Sequence, residues 1–323
     1  MTMSSARTAP GIGRALAAMV LTVTVGAAAA GCAAAAGGTT NPSGPSSASG
    51  PRAQGTRLVR ARPPAPAAVW VRDVVLKDGH VMTIARFSGG VRFVLHCGSM
   101  DPGPACQGKV KAGPSVGGAG RRLLIAAFNG GFKLGTHSGG YMQEGKVISP
   151  LVPGRASLVI YRSGKASIGI WGHGLPRPGK KVYSVRQNLD LLVRNGQPTG
   201  ASVAGWSSWG ATITGAENTA RSALGENARG QLIYVASMTA TPPDLATALV
   251  RAGAVTGMEL DINPEWVQLA YASRPGGPLW AGIPGQVRPA DQYLQGWTRD
   301  FIAVVALWPT FVPGSHAAPR FGP

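Results

Sequence analysis

Between Gln231 and Trp266 the chain switches from strand to helix to strand chemistry, and any fold it adopts must accommodate that unit. Gln231-Leu232-Ile233-Tyr234-Val235-Ala236-Ser237 is a short apolar run rich in β-formers, too short for a helix and suited to a strand buried on both faces. Thr241-Pro242-Pro243-Asp244 then opens a helix. A cap hydroxyl and an acid three residues later satisfy backbone N–H groups that the first turn leaves orphaned, and Pro fits the first helical position. Leu245, Ala248, Leu249 and Ala252 share one helical face, and Gly253 suits the left-handed residue that ends a helix near Ala252. Gly257-Met258-Glu259-Leu260-Asp261-Ile262 reads as a second strand. A right-handed crossover lays it parallel to the first, with Asp261 near the carboxyl end, where open sheets bind ligands.

The chain has only 13 acidic residues, yet Glu259, Asp261 and Glu265 fall together here. Strand alternation puts Glu259 and Asp261 on one face, and Asn263-Pro264 turns the chain so that Glu265 swings back. Two readings stay open: a carboxylate site, or acids that pair with the abundant arginines.

Residues 1–31 read as a signal peptide, with Arg7 and Arg14 in the positive region and an apolar stretch from Ala15 to Ala30 too short to span a membrane comfortably. Ala29-Ala30-Gly31-Cys32 resembles a bacterial lipobox, so Cys32 is the expected lipidation site, with plain secretion as the alternative. A lipid on Cys32 would anchor the chain to the outer face of the membrane without spanning it. Residues 32–67 are Ala, Gly, Ser, Pro and Arg with almost no bulky apolar side chain, a composition that makes a tether rather than a core. The folded part is then residues 68–323, enough for one sizeable core.

The formal net charge is +18. Nucleic acid is not expected as a partner, because the basic residues are scattered and the chain carries an export signal. Anionic envelope polymers, lipid head groups or phosphate-bearing substrates fit better, and a role in solubility is the alternative. The chain has three cysteines. If Cys32 is acylated, parity leaves Cys97 and Cys106 on either side of a turn-rich loop, a pair that oxidises outside the membrane. Closing so short a loop contributes about 2 to 3 kcal/mol through the unfolded state.

Val69 to Leu76, Val81 to Phe87 and Val91 to Cys97 read as a meander punctuated by Asp78-Gly79 and Gly89-Gly90. Arg122 to Phe128 is a buried strand running into Asn129-Gly130-Gly131-Phe132, whose two glycines mark a tight turn or a backbone lying close to a ligand. Gly139 to Lys146 reads as a hairpin or a loop over the site, and Ala156 to Tyr161 with Ala166 to Trp171 as a hairpin. Leu189 to Val193 with Asn195-Gly196 begins another.

Taken together these stretches resemble the phosphodiester glycosidase family. Phe128-Asn129-Gly130-Gly131-Phe132, the run from Leu95 to Gly103 that closes on Asp101-Pro102-Gly103, Leu192-Val193-Arg194-Asn195-Gly196 and Arg221-Ser222-Ala223-Leu224-Gly225 match its motifs in order. The last motif, a Leu-Asp followed by glycines and serines, is matched at Leu260-Asp261, with Ile262-Asn263-Pro264-Glu265-Trp266 replacing the glycines.

The resemblance implies hydrolysis of a sugar linked through phosphate. Phosphate is a weakly basic leaving group, so the site needs little acid assistance; it needs a carboxylate at the anomeric carbon and a cation on the phosphate. Asp261 is the expected carboxylate, with Glu265 or Glu144 as its partner, and Arg221 the expected phosphate ligand. Asn129 and the N–H groups of Gly130 and Gly131 are expected to hold sugar hydroxyls or developing charge. Trp206, Trp209 and Trp266 are stacking candidates or core residues, and His137 a titrating group or an exposed loop residue. No cofactor and no metal is expected, since Asp261 to Glu265 lacks the glycine and the ligand count of a calcium loop. The overall expectation is an α+β domain with a large mixed β-sheet, few helices and one strand–helix–strand crossover at residues 231–262. Its substrate is a phosphorylated glycan or glycolipid of the cell envelope; the rival is a non-catalytic envelope glycan-binding lipoprotein of the same fold.

Overall fold

The computed structural model describes residues 68–307. The signal peptide, Cys32 and the tether through residue 67 lie outside the described residues, as do residues 308–323.

Strands dominate, in three sheets. The largest orders β1 (Val69–Val75), β2 (Val81–Phe87), β14 (Leu232–Ala240), β13 (Thr219–Asn227), β15 (Ala254–Ile262), β11 (Leu191–Arg194) and β12 (Gln197–Pro198). A second orders β6 (Lys146–Ser149), β5 (Tyr141–Gln143), β10 (Val182–Gln187), β7 (Ala156–Tyr161), β8 (Ala166–Trp171) and β9 (Gly174–Leu175). The third orders β17 (Trp280–Ala281), β16 (Leu269–Tyr271), β4 (Leu124–Asn129), β18 (Phe301–Ala306) and β3 (Val91–His96). Four short α-helices accompany them among the described residues: α1 (Gly118–Leu123), α2 (Gly200–Ala204), α3 (Pro242–Arg251) and α4 (Gln292–Gln295). The α+β class holds, with its strands divided among the three sheets.

The crossover unit forms as its residues dictate. Thr241 and Asp244 make a reciprocal capping box at the start of α3, and Gly253 takes φ 90 at its end. The apolar face of α3, including Leu245 and Leu249, packs on β13, β14 and β15 with Ile233, Val235 and Ala223. β14 and β15 run parallel, as a crossover requires, but β13 lies between them and pairs antiparallel with both. The meander reading holds only for β1 and β2. After Gly89-Gly90 the chain leaves their sheet, and β3 pairs with β18 in the third. A second core cluster, with Phe87, Phe128, Tyr234, Leu260 and Ile302, packs elements of different sheets together and brings the end of β4 beside the end of β15.

The cysteine expectation is met: Cys97 and Cys106 are disulfide-bonded, with Cα atoms 6.5 Å apart. The loop they close carries Asp101.

Candidate active site

Asp261 lies near the carboxyl end of β15, on a cavity of about 660 Å³. Phe132 to His137 after β4, the segment Ser207 to Ala211, and Trp266 with Arg299 form much of its wall.

The Asn129-Gly130-Gly131 turn builds the floor rather than the ligand contacts. Gly130 accepts the Asp261 N–H at 2.9 Å and donates its own N–H to the Asp300 carbonyl at 3.0 Å. A Cβ on Gly130 would stand 2.0 Å from Asp300 Oδ2, and one on Gly131 would stand 2.9 Å from Arg186 Cζ. Both glycines let the backbone close over the fully buried Arg186–Asp300 pair, which makes two parallel hydrogen bonds at 2.8 and 3.1 Å. Asn129 is spent on the scaffold. Its amide donates to Ser222 Oγ at 2.8 Å, and its Oδ1 accepts from Tyr234 Oη at 2.8 Å and Gln268 N–H at 3.2 Å. The expectation was a tight turn or a backbone close to a ligand; the close neighbours of this turn are the Arg186–Asp300 ion pair and the core Tyr234.

Two strand positions separate Glu259 from Asp261, yet they do not act as one pair. Between Arg221 and Ala223 on β13, β15 advances from Ile262 to Glu259, one residue more than its partner. That irregularity breaks simple alternation and aims the two carboxylates at different arginines. Glu259 accepts from Arg221 Nη1 at 2.9 Å, both side chains fully buried, and Arg221 also donates to the Trp209 carbonyl at 2.8 Å. Asp261 Oδ2 meets Arg299 Nη2 at 3.0 Å, while its Oδ1 accepts the Ile262 N–H. Arg299 reaches on to Asp101 Oδ2 at 3.3 Å, an ion pair without hydrogen-bond geometry, and lies 5.1 Å from the Trp266 ring centroid.

Burial dominates the electrostatics. It pushes the Asp261 carboxyl up to about 7 against the pull of Arg299, with Asp300 adding to the rise. It also raises Glu259, against the pull of Arg221, and Asp261 reinforces that shift. Asp101 rises for the same reason, with Asp300 adding and Arg299 opposing. Among Asp101, Arg186, Arg221, Glu259, Asp261, Arg299 and Asp300 the acids outnumber the arginines, so a proton held in this group near neutral pH relieves excess negative charge.

Three sequence-predicted site residues stand elsewhere. Arg221, the expected phosphate ligand, is sealed behind Trp209 on Glu259 and does not line the cavity. Glu144 sits in the β5–β6 turn at φ 52, where its carboxylate accepts the N–H groups of Lys111 and Ala112, each at 2.8 Å. Glu265 pairs with Arg288 at 2.7 Å in a partly exposed contact. Asp261 alone of the expected carboxylates lines the cavity, joined there by Trp209, Trp266 and His137, while Trp206 is not among the lining residues.

Sequence reasoning missed the cations that do line it: Arg299, Lys133 and Arg155, the last 3.4 Å from Asp190. The doublet Arg299-Asp300 before a core strand was the available signal. The replaced glycines also find an explanation. Asn263 adopts φ 74, a region Gly favours and Asn tolerates, and its side chain pins the cavity wall by accepting the Ile213 N–H and donating to the Ala211 carbonyl.

Residues 123–261 match the family model described as phosphodiester glycosidase, so the family resemblance holds over that span. No curated protein sequence matches the chain. Among solved structures, the zebrafish N-acetylglucosamine-1-phosphodiester α-N-acetylglucosaminidase catalytic domain, auto-inhibited by its pro-peptide, is similar at 14% identity and a TM-score of 0.47, covering 76% of this chain and 85% of that one. A hypothetical protein from Synechocystis is similar at 14% identity and a TM-score of 0.44, covering 73% and 61%.

Proposed function

We propose, from the premise that residues 123–261 carry a phosphodiester glycosidase-type domain, that this chain is an exported hydrolase releasing a sugar from a phosphodiester-linked glycan or glycolipid of the cell envelope. The observation that carries the reading is the pairing of Asp261 with Arg299 on a cavity lined by Phe132 and Trp266. The aromatic side chains suit a sugar ring, and the carboxylate and guanidinium suit the two halves of the bond to be cut.

In this mechanism Arg299, with Lys133 at the cavity rim, holds the phosphate and stabilises the charge that grows on it as it departs. Asp261 in its ionised form acts at the anomeric carbon. Its raised carboxyl means that only part of the population is ionised at neutral pH, so the rate rises through a pH of about 7. Asn129, Gly130 and Gly131 serve by fixing the backbone beneath Asp261. The signal-peptide and lipobox patterns of the sequence support an activity outside the membrane, anchored through Cys32, and the mass of the mature N-terminal peptide tests the lipid.

Purified full chain should release sugar from a synthetic sugar-1-phosphodiester, and Asp261→Asn should lower turnover about 100-fold while binding survives. Glycan binding without turnover in the wild type would sink the hydrolase and favour the glycan-binding lipoprotein.

A further inference from the structure

A second cavity, of about 580 Å³, lies at the opposite end of β15. Val255 and Thr256 line it, whereas Asp261 and Ile262 line the first; from Thr256 to Asp261 an extended strand covers about 17 Å. Its walls come from the turn Ser88-Gly89-Gly90, the β7–β8 hairpin, the stretch holding Arg177 and Lys180, and the β13–β14 hairpin.

The charge of this groove is one-sided. Lys165, Arg177, Lys180 and Arg229 line it and are exposed. Its acid, Glu226, is buried and already engaged, accepting the Ile168 N–H at 2.8 Å and Arg177 Nη2 at 2.7 Å. Lys165, Lys180 and Arg229 therefore have no carboxylate partner among the described residues, and Lys180 Nζ stands 5.4 Å from the Tyr161 ring centroid. Ala68 accepts the Ser88 N–H at 3.0 Å, and Leu307, itself lining the groove, donates to Gly90 at 2.7 Å.

We propose that this groove binds a phosphate-bearing polymer strand at a site separate from the candidate active site. Lys165, Lys180 and Arg229, without carboxylate partners among the described residues, line a concavity walled by the β7–β8 and β13–β14 hairpins, and a concave basic wall suits a strand better than a flat lipid surface. Exposed cations make the contact salt-sensitive. The inference does not rest on the hydrolase reading, because polymer binding decides it.

The test is fluorescence anisotropy of a labelled synthetic poly(glycerol phosphate) with purified full chain. The triple variant Lys165→Gln, Lys180→Gln, Arg229→Gln should bind about tenfold more weakly or worse, while Lys77→Gln, Arg121→Gln, Arg251→Gln, which removes equal charge elsewhere, should change affinity by less than about twofold. Lys165→Arg, Lys180→Arg, Arg229→Lys should restore binding, and sugar release from a small soluble phosphodiester should be equal in all of them. Equal weakening by both glutamine triples would overturn the proposal in favour of diffuse charge. Binding only to phosphatidylglycerol vesicles, or no binding to the polymer by the wild type, would overturn it as well.

Discussion

Glu259 and Asp261 stand two positions apart on one strand, each facing an arginine, and only one of the two pairs reaches a cavity. The Arg221–Glu259 pair is sealed, with Arg221 Nε and Glu259 Oε2 lacking hydrogen-bond partners. The Arg299–Asp261 pair keeps an edge open to the cavity. Sealing makes a charge pair a structural commitment that is costly to break; an open edge makes it available to a ligand.

The sharpest way to break this comparison is Arg221→Ala. It leaves Glu259 buried and unpaired, so denaturant unfolding should show a loss of about 3 to 5 kcal/mol. A loss below about 1 kcal/mol together with collapse of phosphodiester turnover would instead return Arg221 to the substrate.

A smaller effect is expected at the open pair. Arg299 favours the ionised form of Asp261, so Arg299→Gln should move the rising limb of kcat/KM from a pH of about 7 to higher pH. The same variant should lose about tenfold or more against phosphodiesters, and far less against an analogue with a neutral, activated leaving group. A pH–rate profile whose limb stays in place would remove Arg299 as the partner of Asp261.

The smallest effect belongs to Glu265→Gln. Its pair with Arg288 is about a third to a half exposed, so thermal melting should register a change within about 0.5 kcal/mol and turnover should hold. A large loss of turnover would show that Glu265 moves into the site when substrate binds.

Much of the fold was legible because its signals are local. The Thr241 cap, the Gly253 stop, the hairpins at Gly164 and Asn195-Gly196, and the Cys97–Cys106 loop each depend on residues close in sequence, whose backbone preferences act before any packing occurs. Asp261 was legible for a similar reason, as an acid at the end of a buried strand. The glycines after Asn129 announced a close approach, but nothing local named Arg186 and Asp300 as the neighbours.

What the amino-acid order determined by itself is where the locally signalled elements lie, among them β1, β2, β14 and α3, and that a carboxylate, Asp261, sits near the end of β15; β13, β10 and β18 carried no such local signal. Tertiary structure alone decided its partners. Arg299 reaches Asp261 because β18 and β4 are hydrogen-bonded, Asp101 arrives on a loop held by a disulfide, and one extra residue in β15 turns Glu259 away to Arg221. Charge pairs are chosen by proximity and burial across distant segments, and neither quantity exists until the sheets have packed.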